Sequence, residues 1–406
     1  MHNLILAAEL MAYLFAGRMV MRHLAGFRRE VVFAGLNLAA VYYFLFYGNH
    51  SYYTLRFGIY LLLVVGQFLM LRWFVGRGGG WPWLAFFTPI VALIFFRYLP
   101  DDLMRAAVSM VGLQFRGLPM MIGLSYLAFR CSRLVLEVRN GSVKAPNLVE
   151  YLNFAFFLPT MSVGPINTYA NFRRGFDVAP LAVPVLRAVL RILVGLVKYQ
   201  FLGNLCNKLG YTSLLLDDHP HHWIDLPVAM VAYFLFLYCN FSGFCDMAIG
   251  AAGIIGIPVP ENFENPLAAR NIKEFWNRWH ITLSMWMRDV VFSPLSKFLV
   301  RAGGPKFANH AVALTIVVVF LLVGIWHGAG WNFVAYGATQ ALGVATTHYW
   351  TIFLKTRLGR DRFKTYNENR FIHALAVATT FCFMAVSLMF FANSFPQLKE
   401  IWSVLR

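Results

Sequence analysis

Two histidines set among tryptophans carry the strongest chemical signal in this chain of 406 residues. The first lies in RNIKEFWNRWHITLSMWMRDVVFSP (Arg270 to Pro294), where helical spacing predicts Trp276, Trp279 and His280 on one face, with Asn277 and Arg288 displaced around it. A belt of interfacial aromatics would explain the tryptophans but not the imidazole. The second is His327, which ends an apolar run between Trp326 and Gly328 in LLVGIWHGAGWNFVAYGATQAL, where a bend near Gly328-Ala329-Gly330 is expected. Burying an ionisable ring at that depth is costly and favours its neutral form. A neutral imidazole is what a general base requires. A histidine whose ring nitrogens only tie two helices together would fit the same position. A third stretch, YCNFSGFCDMAIG from Tyr238, sets Asn240, Ser242 and Asp246 inside an apolar run. Asp246 there either orients a histidine or an arginine, or makes an ordinary interhelical hydrogen bond.

Other chemistries find less support. Asp218-His219-Pro220-His221-His222 has the residue types of a metal site, but adjacent imidazoles in a proline loop seldom reach tetrahedral geometry. There is no H-E-x-x-H and no G-x-S-x-G, and Arg77-Gly78-Gly79-Gly80 is followed by no G-K-[ST]. The five cysteines are scattered without a C-x-x-C pair, so neither a disulfide framework nor a thiolate metal site is expected.

The elements that must hold these residues are membrane helices. Hydrophobic residues make up 59% of the chain and charged ones only 13%, too few charges for a water-facing surface of this size. Apolar runs near 4–21, 31–47, 57–75, 82–99, 106–129, 148–165, 185–206, 226–256, 281–300, 311–327, 331–354 and 371–393 predict roughly ten to twelve spanning or re-entrant segments. The fold class is therefore an all-α polytopic bundle in one domain, residues 1–406. The first run carries its arginines after it, as a retained span does, and not before it, as a cleaved signal does. The formal charge of +17 resides in short stretches between apolar runs, which fits cytoplasmic loops and anionic lipid and gives no reason to invoke nucleic acid. Placing those basic loops inside puts the N-terminus outside. Prolines at 159, 165, 258 and 260 interrupt apolar runs, and broken backbone at membrane depth requires a protein-buried or water-filled surrounding.

Four stretches together resemble the membrane-bound O-acyltransferase family, in particular the bacterial branch concerned with alginate O-acetylation and teichoic-acid D-alanylation. They are FLPTMSVGPINTYANF (from Phe157), YCNFSGFCDMAIG, PENFENPLAARNIKEFWNRWHITLSMWMRD (Pro260 to Asp289) and GIWHGAGWNFVAYG (Gly324 to Gly337). The resemblance implies helices around a central tunnel in the cytoplasmic (inner) membrane, with His327 essential and His280 supporting it. Asn277, Trp279, Arg288, Asp246, Trp326 and Asn332 are then the candidate substrate-binding residues, with no metal and no tightly bound cofactor. It implies a cytosolic thioester donor, acetyl-CoA or a phosphopantetheinyl carrier protein. The acceptor would be an extracytoplasmic polymer, or an accessory periplasmic acyltransferase acting on one. Acetyl transfer is the leading expectation and D-alanyl transfer the alternative. A transporter or flippase, which also uses broken helices and intramembrane charges, is the competing class. A purely structural membrane partner, tolerant of changes at both histidines, is a third. One departure stands out: relatives often place His-Gly after Tyr-Gly, whereas Tyr336-Gly337 is followed here by Gln340-Ala341.

Overall fold

Hydrocarbon offers a peptide group no partner, so each crossing segment must satisfy its own N–H and C=O groups. The computed structural model, which describes residues 2–46, 51–77, 81–98, 123–177, 184–216 and 219–405, answers with helices throughout; among the described residues the remaining ladder contacts are two isolated bridges. Among the described residues, five helices are long and apolar enough to cross a membrane: Gly26–Phe46, Phe57–Phe74, Asp225–Ile255, Pro305–His327 and Arg370–Ala392. The chain is a polytopic all-α membrane protein. Most of the apolar run at 106–129 and Asp218 lie outside the described residues.

The chain forms two compact units, one of residues 1–194 with 245–260, the other of 195–244 with 261–406. The first holds α1 (His2–His23), α2 (Gly26–Val41), α3 (Ser51–Phe74), α4 (Trp81–Tyr98), α5 (Leu124–Arg139), α6 (Leu148–Ala155), α7 (Tyr169–Asp177) and most of α8 (Val185–Leu196). The second holds α9 (Gly203–Asn207), α10 (Tyr211–Leu214), the larger part of α11 (Asp225–Ile255), α12 (Ile272–Arg278), α13 (Ile281–Met287), α14 (Ser293–Gly303), α15 (Ala308–His327), α16 (Trp331–Glu368, broken at Gly359), α17 (Arg370–Ala392) and α18 (Phe395–Val404).

Several apolar runs are not single helices, and proline accounts for two of the breaks. The run at 148–165 stops at Ala155 and continues as a single 3₁₀ turn at Leu158–Thr160, where Pro159 brings no amide donor. The run at 281–300 widens into a π turn, Arg288–Phe292, just before Pro294 withholds its hydrogen bond.

In the first unit the α6 break is stabilised by a buried cation. Arg130, 1% exposed, donates to the carbonyls of Phe154 (3.1 Å) and Ala155 (3.0 Å) and to the Thr160 hydroxyl (3.4 Å). Those carbonyls belong to the last turn of α6, which the helix leaves unpaired and where positive charge is favoured. The two proline-bearing stretches meet there as well, since Asn167 and Asn171 both donate to the Pro258 carbonyl (2.8 and 3.1 Å).

Candidate active site

The second unit builds its site around a short non-helical crossing. Residues 262–264 run antiparallel to 278–281: Glu264 N–H donates to the Arg278 carbonyl (2.9 Å), Ile281 N–H to the Asn262 carbonyl (3.0 Å), and Phe263 bridges Trp279. This pairing stops α12 at Arg278. Trp279 is extended (φ −107°, ψ 129°) and His280 left-handed (φ 45°, ψ 51°), so the single helical face expected for Trp276, Trp279 and His280 does not exist. Helical periodicity describes neighbours along the chain, whereas this break is imposed by a partner strand well upstream.

His280 is 4% exposed. Its Nδ1 lies 3.2 Å from Asn262 Oδ1, which also accepts from Thr282 N–H (3.1 Å) and the Thr282 hydroxyl (2.9 Å). Phe241 packs edge-on against the ring at 4.8 Å between centroids. Residue 280 stands between helices, outside the apolar spans, and burial first, then the neighbouring His327 imidazole, lower its pKa.

His327 is the last residue of α15, and Gly328-Ala329-Gly330 turns the chain into α16, the bend expected from the sequence. Its half-buried ring lies 4.5 Å from Trp326, 4.8 Å from Phe391 and 6.1 Å from Tyr336. The Trp326 ring also lies 6.4 Å from His280, so one indole touches both imidazoles. The two histidines share one neighbourhood within the second unit.

Glycine sets how closely the two helices carrying this end approach. A methyl group at Gly337 would lie 2.5 Å from the Phe320 carbonyl oxygen and 3.3 Å from Gly324 Cα. Backbone therefore packs on backbone where α15 and α16 cross, one turn before His327.

Beside this cluster lies a cavity of about 460 Å³. Val312, Ile316, Val319, Phe320 and Val323 form its apolar wall on α15, and Lys273, Asn277, Ser284, Arg288 and His348 supply polar groups. The wall positions recur at helical spacing, and the next position on that stripe is His327. Trp276 closes one side. Its indole N–H donates to Gln340 Oε1 (3.1 Å), and Gln340 Nε2 donates to the Ser387 hydroxyl (2.7 Å). The glutamine that departs from the relatives' pattern is thus a fully buried tie between α12, α16 and α17.

The remaining candidates take varied places. Asn277 and Arg288 line the cavity, and Trp326 links the histidines. Trp279 is buried, stacked on Phe275 (5.4 Å) and met edge-on by Phe263 (5.0 Å). Asn332 donates to the Phe390 carbonyl (3.1 Å), tying α16 to α17. Asp246 belongs to the first unit, where Arg191 pairs with it at 3.0 Å. Sequence reasoning missed Asn262, Lys273, His348 and Phe391. Only Asn262, a polar residue between prolines in PENFENP, offered a local signal.

Comparison with known proteins adds an independent observation. The sequence profile of MBOAT, the membrane-bound O-acyltransferase family, matches residues 81–389. A teichoic acid D-alanyltransferase of Streptococcus thermophilus is 31% identical over 296 residues, 69% of each chain. A probable alginate O-acetylase of Azotobacter vinelandii is 28% identical over 272 residues, 65% of this chain and 53% of the relative. A peptidoglycan O-acetyltransferase of Helicobacter pylori is 29% identical over 214 residues, 49% of this chain and 37% of the relative.

Proposed function

Because the chain belongs to the membrane-bound O-acyltransferase family, and is accordingly a multi-pass membrane O-acyltransferase, we propose that it moves a short acyl group from a cytosolic thioester to a hydroxyl of an extracytoplasmic cell-envelope polymer across the cytoplasmic membrane. A thioester is already activated, so transfer requires a base for the hydroxyl proton, close positioning and stabilisation of the tetrahedral intermediate. The hydroxyl loses its proton to His327, its oxygen bonds the acyl carbon, the carbon–sulfur bond breaks, and the thiolate leaves to be protonated. His280 and Trp326 position the reacting groups.

The observation that carries this reading is the cavity with basic residues and an apolar wall whose stripe on α15 runs on to His327. Lys273 and Arg288 suit the phosphates of coenzyme A or of a phosphopantetheinyl carrier, and the apolar wall suits the arm that bears the thioester. Among the described residues no carboxylate lines the cavity, which suits an uncharged acyl group such as acetyl. D-alanyl transfer is the second reading, favoured by the length over which the Streptococcus relative matches.

Purified protein in detergent should transfer label from acetyl-CoA to a hydroxyl acceptor without a membrane gradient, which a transporter would not do. His327→Ala should insert normally and lose this transfer. Full activity in that variant ends the assignment. If D-alanyl carrier protein is a donor and acetyl-CoA is not, the second reading replaces the first.

A further inference from the structure

The hydrogen bonds around Asn262 determine which nitrogen of His280 carries the proton. A backbone N–H can only donate, so the Asn262 atom 3.1 Å from Thr282 N is the amide oxygen. That same oxygen faces His280 Nδ1 at 3.2 Å, and an amide oxygen can only accept. Nδ1 must therefore hold the hydrogen. In the neutral ring this leaves Nε2 as a bare lone pair. Among the described residues no protein group donates to Nε2, although the ring is 4% exposed.

The local backbone enforces the arrangement. His280 is one of two non-glycine residues with positive φ among the described residues, a conformation that residues with a Cβ adopt only at a cost. It is held by the same crossing that brings Asn262 against it, through Ile281 N–H on the Asn262 carbonyl (3.0 Å). A strained residue fixed on both sides, with a buried acceptor left over, is arranged for an incoming donor.

We propose that Asn262 is a positioning residue that locks His280 in the Nδ1–H form, so that Nε2 serves as the hydrogen-bond acceptor for an O–H or N–H group brought by a substrate. In this form His280 cannot donate to an oxyanion. Its task is to orient a donor, either the acceptor's hydroxyl or an amide N–H of the thioester arm. This assignment rests on the acyltransfer reading of the site.

Two measurements on the full-length protein test it. With ¹⁵N-labelled histidine, and the His280 signals identified by their loss in His280→Gln, Nδ1 should show the protonated and Nε2 the bare nitrogen resonance. The reverse pattern overturns the proposal. Asn262→Asp keeps the shape and the acceptor but adds a negative charge beside the ring, which favours imidazolium and raises its pKa. Protonation removes the Nε2 lone pair, so the pH profile of the His280 ¹⁵N signals, read apart from the titration of His327, should move to higher pH than in the wild type. Asn262→Ala should lower kcat on the order of 10²-fold. An Asn262→Asp protein with the wild-type pH profile, or an Asn262→Ala protein with wild-type kcat, also overturns the proposal. If His280→Ala itself is fully active, the acyltransfer reading of His280 fails instead, and the two failures are distinguishable. KM for acetyl-CoA rising with the kcat loss identifies the thioester arm as the source of the donor; an unchanged KM identifies the hydroxyl acceptor.

Discussion

Replacing Gly337 with alanine tests whether the helix crossing sets the position of His327. The added methyl would lie 2.5 Å from the Phe320 carbonyl oxygen and 3.3 Å from Gly324 Cα, against ordinary contacts beginning near 3.4 Å. Both obstacles are backbone, so no side chain can swing aside, and α15 and α16 must part by about 1 Å to accept it. Overpacking of this kind costs about 1–3 kcal/mol. His327 follows Gly324 by one turn and moves with α15, and a 1 Å misplacement of a reacting group costs on the order of 10²-fold in rate. Turnover of acetyl-CoA and the thermal midpoint are measured on the same detergent-purified protein. Gly35→Ala in α2 serves as the control, because nothing lies within 4 Å of its new methyl group. Relief from glycine's backbone entropy should make that variant about 0.5–1 kcal/mol more stable. A Gly337→Ala protein with wild-type midpoint and turnover would refute the reasoning. A lowered midpoint with full turnover would refute the coupling between the crossing and His327.

Three further changes probe the ties around the site. Gln340→Leu leaves the Trp276 indole N–H and the Ser387 hydroxyl to find new partners, so the midpoint should fall by the equivalent of about 1–3 kcal/mol; an unchanged midpoint would show that the tie contributes nothing. Arg130→Leu strips the Phe154 and Ala155 carbonyls of their donor and should sharply reduce the yield of folded protein, and Arg130→Lys should not restore it, because one ammonium lacks the fork that reaches both. Asp246→Leu and Arg191→Leu should each destabilise by removing one half of a half-buried ion pair, while the double variant recovers part of the loss. A double variant no better than the worse single one would give Asp246 a task beyond this pair.

What the sequence revealed followed the range of each signal. His327 and its bend were legible because their causes are local: an apolar run, then Trp-His-Gly-Ala-Gly, whose glycines end α15. His280 was legible as a residue out of place among apolar neighbours, yet its conformation was not. The break that holds it left-handed comes from residues 262–264, and no helical period within 270–294 encodes that pairing. Lys273 and His348 reach one cavity from α12 and α16, a proximity fixed only by packing. Gln340 was visible as a departure from the relatives, but its reason needed the structure, since Trp276 and Ser387 lie far from it along the chain.

The two imidazoles stand in different surroundings, and the tasks proposed for them differ accordingly. His327 closes a helix, is half-buried, and lies one turn beyond a crossing made of glycine backbone. His280 is enclosed, its pKa is lowered by burial and by His327, and one of its nitrogens is already committed to Asn262. A charge gained there would have to be carried beside Phe241 and Trp326 without water. The proposed chemistry therefore gives proton transfer to the ring at the helix end and orientation to the enclosed one, with the Trp326 ring near both.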